Sequence, residues 1–424
     1  MTLFLVLFII INILLLIRKK SLLCNEIYWL LFFWILIIGV YCTAGVIWKY
    51  RVSYRTIIFL VICFSMLIVG RKKGLSKSVR LFIRETKNDK MILFTVIGIV
   101  GILLFLLDYF RLNGLFETAK SSYNISIIGS IGALLIPILW VEGLFIFVTN
   151  LTQKKRISII AILLLVLYAI PCLVNSGRES VLYIMVSILS LYGFCRINTK
   201  KKSWRRVNIK TFFSKCLIAI VVFMLCIMII NISTTRFTQN EIDVFVYTHN
   251  ITAASIKEAE KWGPFRFLYF NIASYFSHQL PFLEFLLQKY NGPYLFGMYE
   301  LNIISRRLPS FLGLDYKLVY EQLEHLFFQY GQKSNFSGGW QTVFGSFLID
   351  FTKFGAPIVC FLLGECIGRI RKKFTVQKDC RYAVLVALVC ASMFATIQLG
   401  PFFNTLIYGA YIWWFIIFGR DEGR

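Results

Sequence analysis

The chain has 424 residues, of which 58% are hydrophobic and only 16% charged, with a mean hydropathy of +0.72. A soluble domain carries about 25% charged residues, and here the apolar residues fall in long uninterrupted runs, so an ordinary water-soluble globule is excluded. The net charge of +25 would suggest nucleic acid in a soluble chain, but every basic stretch abuts an apolar run and lacks interleaved aromatic residues, which speaks against that partner.

Eleven apolar runs suit the length needed to cross a hydrocarbon core of about 30 Å. In chain order they cover residues 2–17, 27–47, 56–70, 91–107, 123–148, 157–174, 181–195, 216–232, 354–367, 383–399 and 402–418. The first has no basic segment before it and no small-residue cleavage site after it, so a retained anchor is expected. The 11 cysteines show no C-x-x-C spacing, which suggests neither a disulfide framework nor a zinc site. The expected fold is all-α: a polytopic integral membrane protein with about eleven transmembrane helices and one large, partly helical extracytoplasmic loop. Its parts are a bundle of eight spans at 1–232, the loop at 233–353 and three further spans at 354–424.

Orientation follows from lysine and arginine. Of the 46 in the chain, 30 fall in alternate loops beginning at Arg18, and these are expected on the cytoplasmic side. The remaining loops include 233–353, where 10 basic and 10 acidic residues leave the stretch near neutral. It therefore faces out, with the amino terminus outside and the carboxy terminus in the cytoplasm. Within it, residues 248–262 read as a helix stopped by Gly263-Pro264. Residues 265–290, rich in Phe and Tyr and broken by Pro281, read as an amphipathic helix pair on the membrane surface. Residues 315–330 read as another amphipathic helix.

Three segments resemble a known family. Asn175-Ser176-Gly177-Arg178 is similar to a short Gly-Arg loop, the polar stretch before the last spans is similar in size and place, and Trp340-Gln341-Thr342-Val343-Phe344-Gly345 with Asp350-Phe351-Thr352-Lys353-Phe354-Gly355 resembles a Thr-Phe stretch leading into a span. These are features of the Wzy-type oligosaccharide repeat-unit polymerases that build O-antigen and capsular polysaccharide in bacterial inner membranes. The R-x10-G repeats of some members are not found here.

The resemblance implies a glycosyltransferase at the outer face of the bacterial cytoplasmic membrane. Its donor and acceptor would be undecaprenyl-diphosphate-linked oligosaccharides, and its partners the membrane lipids and a chain-length regulator protein. An O-antigen ligase and a lipid-linked oligosaccharide flippase or other transporter are the alternatives. The chain has no D-x-D pair, Walker A sequence or G-x-G-x-x-G. Neutralising the diphosphate therefore falls to arginine, whose planar guanidinium grips phosphate oxygens through paired bonds. The substrate-binding candidates are Arg178, Arg236, Arg266, Arg306 and Arg307; each also reads as an interfacial or solvated charge.

Candidate catalytic residues are His249, His278 and Asp350. A histidine titrates near neutral pH and can serve as a base, although buried or exposed structural histidines are commoner; His325 is a weaker candidate. Asp350 also reads as an acid favoured by a helix dipole. No histidine pair has metal-ligand spacing, so neither metal nor cofactor is expected. Glu142, inside the fifth run, needs a partner or water there, and Glu365 has the i+4 spacing to pair with Arg369.

Overall fold

The computed structural model describes residues 2–18, 20–43, 50–77, 88–113, 126–153, 158–174, 179–198, 278–292, 294–301, 342–377, 379–396 and 405–419. The described residues are helical almost throughout, as apolar surroundings require: without water, backbone N–H and C=O groups must be satisfied within the segment. The helices are α1 (Thr2–Arg18), α2 (Glu26–Thr43), α3 (Tyr54–Ser76), α4 (Asn88–Asn113), α5 (Ile127–Leu135), α6 (Pro137–Thr152), α7 (Ile159–Val174), α8 (Glu179–Asn198), α9 (Gln279–Lys289), α10 (Thr342–Gln377), α11 (Cys380–Ala395) and α12 (Thr405–Phe418). Five stretches among them are long and apolar enough to cross a membrane: α2, α3, residues 90–112 of α4, the α5–α6 run, and α10. The span expected at 216–232 and the helices expected at 248–262 and 315–330 lie outside the described residues.

The fifth apolar run is two helices. Pro137 has no N–H to donate, so it opens α6, while Ile136 closes α5 by donating to the Gly132 carbonyl. The bundle gathers around α11, whose residues from Tyr382 to Ala395 are all buried. Its small residues let α2, α6, α8 and α10 pack on it. Beside it, Trp140 of α6 stacks on Tyr168 of α7 and Tyr183 of α8, with ring centroids 5.2 and 6.2 Å apart.

Helices α3 and α10 pack closely, and glycine makes it possible. A Cβ on Gly70 or Gly74 would stand 2.0 or 2.1 Å from the carbonyl oxygens of Phe361 and Glu365, and one on Gly364 or Gly368 would stand 2.1 or 2.2 Å from those of Leu67 and Arg71. Two G-x-x-x-G patterns thus face each other, the small-residue device that brings membrane helices together. Contacts advance in step along both chains, so this part of α10 runs parallel to α3.

The charged ends of several helices meet at one end of the bundle. Glu26 accepts from Arg71 at 2.5 Å and stands 3.9 Å from Arg371. Glu365 pairs with Arg369, as its spacing predicts, and also with Lys77 at 2.6 Å. Phe194 near the end of α8 meets Phe374 with the two rings tilted, and Thr152 at the end of α6 reaches Cys380. The described helix ends that flank the basic loops, those of α2, α3, α6, α8, α10 and α11, therefore lie together.

A reversal inside α10 is the main departure from expectation. Phe344 lies against Phe64 of α3 and Trp34 of α2, with centroids 4.9 and 5.0 Å away. Cys360 contacts Cys63, also at the middle of α3. In a straight helix the 16 residues from Phe344 to Cys360 would span about 24 Å; both lie at one level of α3, so the chain turns back between them. The turn is at Thr352, where φ is 72° and ψ 166°, and the Thr352 hydroxyl caps the returning arm by accepting from the Phe354 and Gly355 N–H groups. Residues 342–351 form one arm, buried from Thr342 to Asp350, and residues 353–377 form the other. The last part of the expected outer loop is thus built into the bundle, down to the middle of α2 and α3.

Candidate functional site

The end of the bundle opposite the basic residues holds α9, turn 294–301 and the hairpin tip at Thr352, all from the long polar stretch. Helix α9 sits there with every residue from Gln279 to Leu286 buried, packed against α10 and the start of α3. It is therefore a docked helix, where an amphipathic pair at the membrane surface was expected. Pro281 does not break it. Proline falls in the first turn, where N–H groups have no intrahelical partner to lose.

Glu284 fixes α9 in place. One carboxylate oxygen accepts from the Ser53 N–H at 2.6 Å and the Thr56 hydroxyl at 2.7 Å, and the other accepts from Gln288 at 2.5 Å. Ser53 is the N-cap residue of α3 but makes no side-chain cap of its own, so an acid from another segment supplies the missing acceptor and the charge that a helix N-terminus favours. Burial works to raise the Glu284 pKa, but the donors from Thr56, Ser53 and Gln288 outweigh it and hold it below its ordinary value.

Asp350 holds a second joint. Its two carboxylate oxygens accept from the main-chain N–H groups of Tyr299 at 2.9 Å and Glu300 at 3.0 Å. Its own carbonyl accepts from Phe296 at 2.9 Å, and the Ile349 carbonyl accepts from Leu295 at 3.4 Å. These bonds satisfy carbonyls at the end of the 342–351 arm, which a helix C-terminus leaves without intrahelical donors. They also tie turn 294–301 to the hairpin tip. Asp350 thus stands at the C-terminal end of its arm, away from the helix N-terminus where a dipole would favour it. With both oxygens held by main-chain donors, it anchors chain in this arrangement.

His278 is buried at the head of α9, where its carbonyl accepts from the Phe282 N–H at 3.1 Å. His278 and Asp350 therefore belong to one layer, since α9 packs on α10. His249, His325, Arg178, Arg236, Arg266, Arg306 and Arg307 lie outside the described residues. Among those described, no three His, Cys, Asp or Glu side chains stand together in a way that could hold a metal ion.

Sequence reasoning passed over Glu284 and Glu300, both buried in this layer. The signal for Glu284 was present: a single acid inside the apolar run Leu280–Leu287 of α9. Buried carboxylates and a histidine thus share one layer, which Glu284 ties to the start of α3 and Asp350 ties to turn 294–301. Comparison with known protein families, curated proteins and solved structures finds no match for this chain.

Proposed function

We propose that this protein is a membrane glycosyltransferase that polymerises undecaprenyl-diphosphate-linked oligosaccharide repeat units into O-antigen or capsular polysaccharide. In this reading it crosses the bacterial cytoplasmic membrane eleven times, with the polar stretch 233–353 outside and the carboxy terminus in the cytoplasm. The observation that carries the proposal is the way the polar stretch is fixed into the end of the bundle away from the basic residues. A lipid-linked donor and acceptor both enter sideways from the bilayer. Their sugars then need a rigid polar platform at its surface, and preorganised groups on rigid elements are what lower the barrier to transfer. Asp350 lies in the segment resembling the family and holds that platform together.

The arginines carry the diphosphate, with Arg178 the first candidate, and a histidine of the polar stretch takes the acceptor proton. Arg178→Ala in a strain dependent on this protein is expected to leave membrane insertion intact and to abolish long glycan chains, leaving single repeat units on the acceptor. Full-length polymer with Arg178→Ala would sink the site assignment. Removing the whole protein separates the rival activities. Polymer stranded on the carrier lipid would identify a ligase, and repeat units trapped on the cytoplasmic side would identify a flippase.

A further inference from the structure

Five other buried acids among the described residues have strong donors. Glu26 and Glu365 meet guanidinium or ammonium groups, and Asp108, Glu284 and Asp350 accept from main-chain N–H groups. Glu142 of α6 is fully buried, yet among the described residues its one partner is the Thr95 hydroxyl of α4, which donates to Oε2 at 2.8 Å. Its Oε1 is buried with no hydrogen-bond partner there. Ten residues separate Glu142 from the end of α6, about 15 Å of helical rise, which is half of a hydrocarbon core of about 30 Å. Gly98, one turn beyond Thr95, lets α4 close onto Leu139 and Ile138 and so brings the hydroxyl within reach.

Among the described residues no cation answers this carboxyl. Of the described side chains on helices packed against α6, the charged ones stand at helix ends: Lys90, Asp108 and Arg111 on α4, and Arg381 on α11, already bound to Asp379. The remaining titratable groups among the described side chains of those helices are tyrosines and cysteines, among them Tyr168, Tyr183 and Cys390. An unpaired carboxylate costs far more in such surroundings than a neutral carboxyl, and an ionisable group at this depth marks a proton or ion site.

We propose that Glu142 and Thr95 form a proton-binding site within the bundle, with the proton on Oε1 and the Thr95 hydroxyl donating to Oε2. The pair bridges α4 and α6, so the Thr95 bond breaks if those helices part. The site stands apart from the glycosyl-transfer reading and would exist whichever activity the protein has.

Infrared difference spectra of wild type against Glu142→Gln in membranes at neutral pH test it directly. The expected difference is loss of a protonated-carboxyl C=O stretch that exchanges slowly in deuterated water. Loss of a carboxylate stretch in its place would overturn the proposal. Thr95→Val should keep that band and move it to higher frequency, since the carbonyl oxygen loses its donor; an unmoved band would refute the Thr95 half of the site. Should Glu142→Gln fail to insert, wild-type protein treated with dicyclohexylcarbodiimide decides. The carboxyl oxygen adds to the carbodiimide carbon, its proton passes to nitrogen, and acyl migration leaves a stable N-acylurea. Mass spectrometry should find the adduct on Glu142, and adducts confined to exposed acids would refute the site.

Discussion

The glycine contact between α3 and α10 makes the sharpest test of the fold. In Gly364→Ala the new Cβ would stand 2.1 Å from the Leu67 carbonyl oxygen and 3.0 Å from the Arg71 nitrogen. Ordinary van der Waals contact begins at 3.4 Å, so the helices must separate by about 1 Å, because backbone atoms cannot swing aside as a side chain can. Overpacking of this kind costs about 1–3 kcal/mol, and a gap of that width also forfeits a quarter to a half of the dispersion energy along the contact. Against this, alanine gains about 1 kcal/mol of helix propensity over glycine. The net effect is a loss of about 1–2 kcal/mol.

Additivity sharpens the test. Gly70, Gly74, Gly364 and Gly368 all call for the same separation, so Gly364→Ala/Gly368→Ala should lose much less than twice the single loss. Cys63 and Cys360 are buried at this interface, so thermal unfolding of the detergent-solubilised protein can be followed with a thiol-reactive dye. Leu362→Ala, on the exposed face of α10, serves as the unshifted control. Unchanged melting in Gly364→Ala would refute the close contact, and fully additive losses would refute the shared interface.

Three further outcomes test the joints of the polar stretch. Glu284 has its pKa depressed in the folded state despite burial, so its contribution is present above the ordinary carboxylate value and lost as pH falls through the lower folded one. Hydrogen exchange over α9 should therefore rise only in that acid range, and Glu284→Gln should remove the dependence while raising exchange at neutral pH. Asp350→Asn puts an amide where two main-chain donors need an acceptor, at a cost of about 1–3 kcal/mol. Protease cleavage within 294–301 should increase, and unchanged cleavage would contradict the anchoring role. At Thr352 the backbone lies where side chains cost about 1–3 kcal/mol while the hydroxyl cap returns about 1 kcal/mol. Melting should accordingly fall in Thr352→Val, which loses the cap and keeps the strain, and should hold or rise in Thr352→Gly; the reverse order would refute the reversal.

Much of the architecture was legible in the residues because it rests on bulk properties. Long apolar runs can satisfy their backbone in lipid only as helices, so an all-helical membrane bundle follows from composition and run length. Lysine and arginine carry charge wherever they are placed, and the described helix ends beside the basic stretches do meet, around Glu26 and Glu365. The Glu365–Arg369 pair was readable too, since i and i+4 are neighbours on any helix.

What the sequence could not determine were features set by contacts between distant segments. Apolar content is the same whether residues 342–377 run straight or fold back, and nothing about a threonine announces a positive φ. The reversal at Thr352 is held by Leu295, Phe296, Tyr299 and Glu300, some 50 positions away. Helix α9 looked amphipathic and broken because its periodicity cannot tell membrane surface from protein, and because a proline that ends one helix can begin another. The acceptor for the α3 N-terminus comes from Glu284, more than 200 positions downstream, a pairing that exists only once the chain has closed on itself.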